Sequence, residues 1–180
     1  MKFLGELYTY QLLEHQIVFD VLYLLIAYGR THESAVSLPE RSESETQSEN
    51  NKETTPSLAA TVLANPLDSS TESWRVRLVC VLLQTCGHYF RKGITKEKLD
   101  RFLVYFQRYV LSKERISRDL CYTIDDLFDA LRPRMRRFTS FEEAHAHVLY
   151  LENYEITRGS FFPARYYYFC QFITQLFLFV

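Results

Sequence analysis

Residues 99–110, LDRFLVYFQRYV, place the tightest constraint on what this chain can fold into. Leu99, Phe102, Leu103, Phe106, Tyr109 and Val110 recur at steps of three and four. Asp100, Arg101, Gln107 and Arg108 fall on the opposite side. A helix gathers that spacing into one apolar stripe, and a strand does not. The rings are therefore expected in a core, not on a ligand platform or a base-stacking face. Helical spacing recurs along most of the chain, and no segment shows strand alternation. An all-α array of helical hairpins is the expected fold class.

Three compositional blocks organise the 180 residues, which suffice for one domain with a core. Residues 1–30 are apolar, with one stripe at Phe3, Leu4 and Leu7 and another at Ile17, Val18, Val21, Leu22 and Leu25. A single helix of that length would span about 43 Å, so two helices breaking near Leu13 to His15 are expected. Gly29 supplies a stop. Residues 31–73 are polar, carry prolines and lack aromatics until Trp74. That composition cannot offset the entropy of ordering, so the block reads as a disordered insertion, with LAATVLA (58–64) transiently helical at most. From Trp74 to Asn153 four more helices of the same domain are expected. WRVRLVCVLLQTCGHYF is apolar on more than one face and should sit centrally. Thr95 is expected to cap the next helix, and Thr123 with Asp126 to start a short one that Pro133 ends. Ser140 and Glu143 form a capping box ahead of Ala144, Val148 and Leu151. Residues 154–180 form an atypical aromatic tail.

A net charge of −1 and a pI near 6.5 give no global pull toward nucleic acid or anionic membranes. Cys80, Cys86, Cys121 and Cys170, without a secretory leader, are expected to be free thiols in a reducing, cytoplasmic or perinuclear setting. IVFDVLYLLIAY is too short for a membrane span, and Asp20 interrupts it.

Candidate chemistry is sparse. Cys80, Cys86 and His88 lack a zinc-like spacing. His145 and His147, two apart, point about 200° from each other on a helix. No metal site, no cofactor and no small-molecule substrate are expected. A nucleophile elbow, a glycine-rich phosphate loop and a zinc-protease motif are all missing, so no enzymatic role is expected. Arg132, Arg134, Arg136 and Arg137 crowd one connector, either as a solvated loop or as a weak contact for RNA or protein. Glu6, Glu14 and Asp20 interrupt the apolar first block. They serve either ordinary solubility or an acidic patch for a basic partner.

LGELYTYQLLE (4–14), RLVCVLLQTCGHYF (77–90), KLDRFLVYFQRYV (98–110) and LFDALRPRMRRFTSFEEA (127–144) together resemble a known domain family. It is that of the middle-domain-of-initiation-factor-4G repeats, and the segments are similar to the third such repeat in nonsense-mediated decay scaffolds of the up-frameshift-two type. The resemblance implies a partial HEAT-like α-solenoid of armadillo type without a catalytic site. It implies a scaffold that binds the basic RNA-recognition-type domain of up-frameshift protein three through acidic side chains. Glu6 and Glu14 match those acids, and Asp20 is a looser match. Indirect links to the decay helicase and the exon junction complex follow from the same resemblance, as does a loose match of the arginine connector to a basic stretch that contacts RNA or protein.

The chain also departs from the family. Family members carry helices before LGELY, and a helical array without them exposes an apolar face. The insertion is longer than expected, and YEITRGSFFPARYYYFCQFITQLFLFV resembles nothing in the family. A truncated or mis-spliced product with a non-native tail is the expectation. That tail, interrupted by Pro163, Arg165, Gln171 and Gln175, is a poor membrane span. Peripheral membrane association through it is the alternative from another functional class.

Overall fold

The computed structural model describes residues 1–27 and 68–157. The Gly29 stop, the LAATVLA segment, most of the expected insertion and the tail beyond Thr157 lie outside the described residues. Within them the regular structure is entirely helical, as the spacing requires. Helix α1 spans Lys2–Thr9, α2 His15–Ala27, α3 Trp74–Cys86, α4 Gly93–Leu111, α5 Arg118–Leu131 and α6 Phe141–Thr157, with a 3-10 turn at Gly87–Tyr89.

The break between α1 and α2 falls over residues 10–14, close to where the composition places it. Its geometry is a Schellman stop: Leu12 N–H donates to Leu7 O at 3.0 Å and Gln11 N–H to Tyr8 O at 2.9 Å. Gln11 takes the left-handed position at φ 61°, where glycine is usual. No glycine marks this turn in the sequence, so the stop was visible only as a loss of apolar spacing.

Helix α3 is the central element, touching α1, α2 and α5. Val76, Val79, Cys80, Leu82, Leu83 and Cys86 are all buried along it. Its approach to α1 is close because Gly5 faces it: a Cβ on Gly5 would sit 2.7 Å from Thr85 Cβ. That contact turns the Leu4 and Tyr8 side of α1 inward and leaves Phe3 75% exposed. The expected Phe3–Leu4–Leu7 stripe is thus rotated by the glycine contact. On α2 the buried positions are Val18, Phe19 and Leu22, while Ile17 faces out. Met1, Phe3, Tyr10, Leu12 and Ile17 together leave apolar surface uncovered around the opening hairpin.

The rings of LDRFLVYFQRYV are core. Phe102 and Phe106 stack at 6.0 Å, and Phe106 continues onto Phe128 of α5 at 6.4 Å. Leu99, Phe102, Leu103, Phe106 and Tyr109 are buried, and Val110 packs at the margin. The polar side of this helix is only half right. Gln107 and Arg108, expected in solvent, are buried. Here α6 and the strand of chain before it cover α4, forming a second small core of Val104, Phe138, Ala144 and Val148. Gln107 is satisfied there by the backbone: its Oε1 accepts from Phe138 N–H at 3.0 Å, and its Nε2 donates to Arg136 O at 3.2 Å. Arg108 reaches His145 Nδ1 at 3.4 Å and lies over the Tyr105 ring.

Two helix starts differ from expectation. Thr95 does not cap α4: it lies inside the helix, its hydroxyl donating back to Lys92 O at 3.0 Å. Helix α5 begins earlier than Thr123, because Ser117 accepts from Leu120 N–H and caps it. Thr123 lies mid-helix, bonded to Asp119 O at 2.8 Å. Pro133 follows the α5 terminus as expected. Ser140 accepts from Glu143 N–H at 3.2 Å, and the Glu143 carboxylate returns to Thr139 N–H at 3.2 Å, one residue before the usual reciprocal partner. That hydrogen bond, then the Arg136 guanidinium, holds the Glu143 carboxyl below its ordinary value.

Residues 68–73, assigned by composition to the insertion, are pinned to the core. Asp68 meets Lys113 Nζ at 2.7 Å and Arg75 Nη1 at 3.5 Å, and accepts from the Tyr109 hydroxyl at 2.8 Å. Ser70 O accepts from Glu114 N–H at 3.0 Å, and the Ser70 hydroxyl donates to the Glu114 carboxylate at 2.7 Å.

Candidate partner-binding face

The opening hairpin carries the three carboxylates singled out by the sequence, and the structure gives each a different setting. Glu6 lies half-buried on α1. Glu14 is exposed and immediately precedes α2, with its carbonyl accepting from Ile17 N–H at 3.1 Å. Asp20 is half-buried on α2 and engaged within the fold: Gln16 Nε2 donates to it at 2.9 Å, and the same amide accepts from Lys98 Nζ at 2.8 Å. Burial lowers the Lys98 ammonium below its ordinary pKa, with Asp20 opposing that shift. Glu14 therefore stands in solvent, Glu6 is partly covered, and Asp20 is partly a structural anchor.

Beside Glu14 the Schellman turn leaves an open hollow of about 300 Å³, lined by Tyr8, Thr9, Gln11, Leu13, Glu14, His15 and Tyr89. Tyr8 and Tyr89 form a corner, their centroids 6.2 Å apart and their planes at 74°. Tyr8 is backed by Phe90 at 5.1 Å, and Tyr89 by His88 at 4.0 Å. Burial first, and the nearby Cys86 second, raise the Tyr8 hydroxyl above its ordinary pKa. Sequence reasoning missed these tyrosines as site residues. The available signal was GHYF itself: Gly87 ends the apolar spacing of α3, and the 3-10 turn then carries Tyr89 outward.

The arginine connector is largely occupied by its own fold. Arg132 bonds to Asp100, to Leu131 O at 2.7 Å and to Phe90 O at 2.7 Å, joining α4, α5 and the end of the 3-10 turn. Arg136 pairs with Glu143 and lies over Phe138. Arg137 meets Asp129 at 2.6 Å and Asp125 at 3.5 Å, over the Phe128 ring. Arg134 is exposed and has no such partner among the described residues. Three of these guanidiniums are thus oriented by carboxylates of the chain, leaving one turned to solvent.

Cys80 and Cys86 pack in the core, where burial pushes both thiols up to about 12. Cys86 donates to Leu82 O at 3.2 Å. His88 stacks on Tyr89 instead. His145 stacks on Phe141, and His147 packs against Phe138 and Tyr150. Among the described residues no group of three or more His, Cys, Asp or Glu side chains is placed to hold a metal ion. Nor is any helix there long and apolar enough to cross a membrane.

Comparison with known proteins agrees with this architecture. Residues 1–134 match the MIF4G domain family. The regulator of nonsense transcripts UPF2 of Arabidopsis thaliana is 38% identical over 155 residues, covering 86% of this chain and 11% of that protein. Regulator of nonsense transcripts 2 of Homo sapiens is 36% identical over 160 residues, covering 84% of this chain and 10% of its own length. The nonsense-mediated mRNA decay protein 2 of Schizosaccharomyces pombe is 32% identical over 75 residues, or 42% of this chain and 7% of that protein. The chain spans about a tenth of the length of the first two of these curated relatives. An all-helical fold, a central apolar α3 and a family match running from the first residue into the arginine connector lead to one conclusion: the chain belongs to the MIF4G domain family.

Proposed function

We propose that this chain is a non-enzymatic scaffold of nonsense-mediated mRNA decay. It binds the basic RNA-recognition-type domain of up-frameshift protein three through the carboxylates of its opening hairpin. The observation that carries the reading is the 36–38% identity, over most of the chain, to regulators of nonsense transcripts from a plant and a mammal. Glu14, exposed, and Glu6, half-buried, are the contact residues. Asp20 acts beside them, with its carboxylate held by Gln16. Charge complementarity of this kind mainly sets association rate and specificity. The decay helicase and the exon junction complex are reached indirectly, and the setting is cytoplasmic. RNA contact falls to Arg134 alone, because Arg132, Arg136 and Arg137 are held by neighbouring carboxylates.

Charge reversal tests it. Glu6→Arg and Glu14→Arg, alone and together, are expected to abolish capture of the purified basic domain while helicity by circular dichroism stays unchanged. Undiminished capture by the double variant would remove these carboxylates from the interface.

A further inference from the structure

The hollow beside Glu14 has a chemistry of its own. The Tyr8 and Tyr89 rings meet edge to face, with planes at 74° and centroids 6.2 Å apart, and each has a further ring packed against it. A carboxylate-bearing residue, Glu14, and an amide-bearing one, Gln11, share its rim. The floor is fixed by backbone, since the Gln11 and Leu12 N–H groups are bonded to α1 carbonyls. The Thr9 hydroxyl is likewise bonded, to Gly5 O at 3.0 Å. Tyrosine faces attract cations through their quadrupole, and a planar guanidinium both stacks on such a face and pairs with a carboxylate in its plane. An open volume of about 300 Å³ admits the end of one side chain.

We propose that this hollow receives the guanidinium of one arginine side chain supplied by a basic partner protein. The guanidinium stacks in the corner between Tyr8 and Tyr89 and pairs with Glu14. The proposal rests on the scaffold reading for the partner, but the hollow itself is argued from its own lining. It adds two residues, Tyr8 and Tyr89, to an interface otherwise defined by acids alone.

The test is a titration of the full chain with N-acetyl-arginine methylamide, followed by NMR of the tyrosine rings. Its neutral isostere, N-acetyl-citrulline methylamide, serves as control. Saturable shifts of Tyr8 and Tyr89 with the arginine compound only are expected. Glu14→Gln and Tyr89→Leu should each weaken them by about three- to fivefold. Both positions are surface-facing, so the folded state is retained. An equal response to the citrulline compound, or no loss in either variant, overturns the proposal.

Capture of the basic domain separates the two readings. Full capture by Tyr89→Leu sinks the arginine hollow and leaves the scaffold reading standing. A wild-type chain that binds the arginine compound yet captures no basic domain sinks the scaffold reading alone.

Discussion

Asp68 Oδ1 lies 2.7 Å from Lys113 Nζ, with the two side chains only 9% and 2% exposed. The same carboxylate faces the buried Arg75 guanidinium and the Tyr109 hydroxyl. One anion thus neutralises two cations that the fold has taken out of water. Removing it takes the carboxylate away from the buried Lys113 ammonium and Arg75 guanidinium together, which is costlier than losing a surface pair. Asp68→Asn, which keeps the shape and an acceptor for Tyr109, is expected to lower stability by about 3–5 kcal/mol in urea denaturation. A change within about 0.5 kcal/mol would show that the cluster contributes as little as an exposed pair.

Gly5 offers a test in which two principles oppose each other in sign. Alanine is the better helix former by about 1 kcal/mol, so propensity alone predicts that Gly5→Ala stabilises α1. The packing predicts the reverse, because the new methyl would lie 2.7 Å from Thr85 Cβ, an atom fixed to the α3 backbone. Overpacking of this kind costs about 1–3 kcal/mol. A lowered thermal midpoint is therefore expected, and a raised one would mean that α1 rests on α3 less closely than described.

The fold was legible where a stripe of side chains decides the outcome, and illegible where a neighbour does. LDRFLVYFQRYV announced its buried rings because the spacing of Phe102 and Phe106 is intrinsic to the helix. Gln107 and Arg108 read as solvent-facing because nothing local reveals that α6 covers them. Asp68 read as part of a polar insertion because its value lies in Arg75 and Lys113, one turn and one helix away in the fold. Thr123 looked like a cap by its residue type, yet Ser117 also precedes an acidic first turn and is the one that accepts the N–H. Of the proposed contact residues, the carboxylates Glu6 and Glu14 stand out in the sequence as acids interrupting an apolar block. Tyr8 and Tyr89 could not, because their corner arises from two segments meeting across α1 and the 3-10 turn.

Gln11 holds a left-handed conformation, φ 61°, inside the turn that stops α1. A side chain there costs about 1–2 kcal/mol relative to glycine, less the roughly 0.5–1 kcal/mol of extra entropy that glycine loses on folding. Gln11→Gly is expected to raise stability by about 0.5–1 kcal/mol, read from the urea midpoint at unchanged slope. A loss of stability would indicate that the Gln11 side chain contributes more to the hollow than its backbone strain removes.

The core thiols predict how the chain responds to alkali. Burial raises Cys80 and Cys86 from an ordinary 9.0 to about 12 in the folded state. Burial likewise raises Tyr109, together with its hydrogen bond to Asp68. Above the unfolded thiol pKa, the folded chain holds more protons than the unfolded one, so unfolding releases protons and stability falls as pH rises. The stabilisation is complete below about pH 9 and is lost progressively toward pH 12, because over that range the thiols ionise in the unfolded chain while the folded ones stay protonated. Urea midpoints measured from about pH 8 to about pH 11, a range that brackets the unfolded thiol, should therefore decline. Cys80→Ala should make that decline shallower, even though the lost sulfur lowers stability at neutral pH. A decline of equal steepness in the wild type and in Cys80→Ala would show that the Cys80 thiol ionises in the folded core as readily as in the unfolded chain.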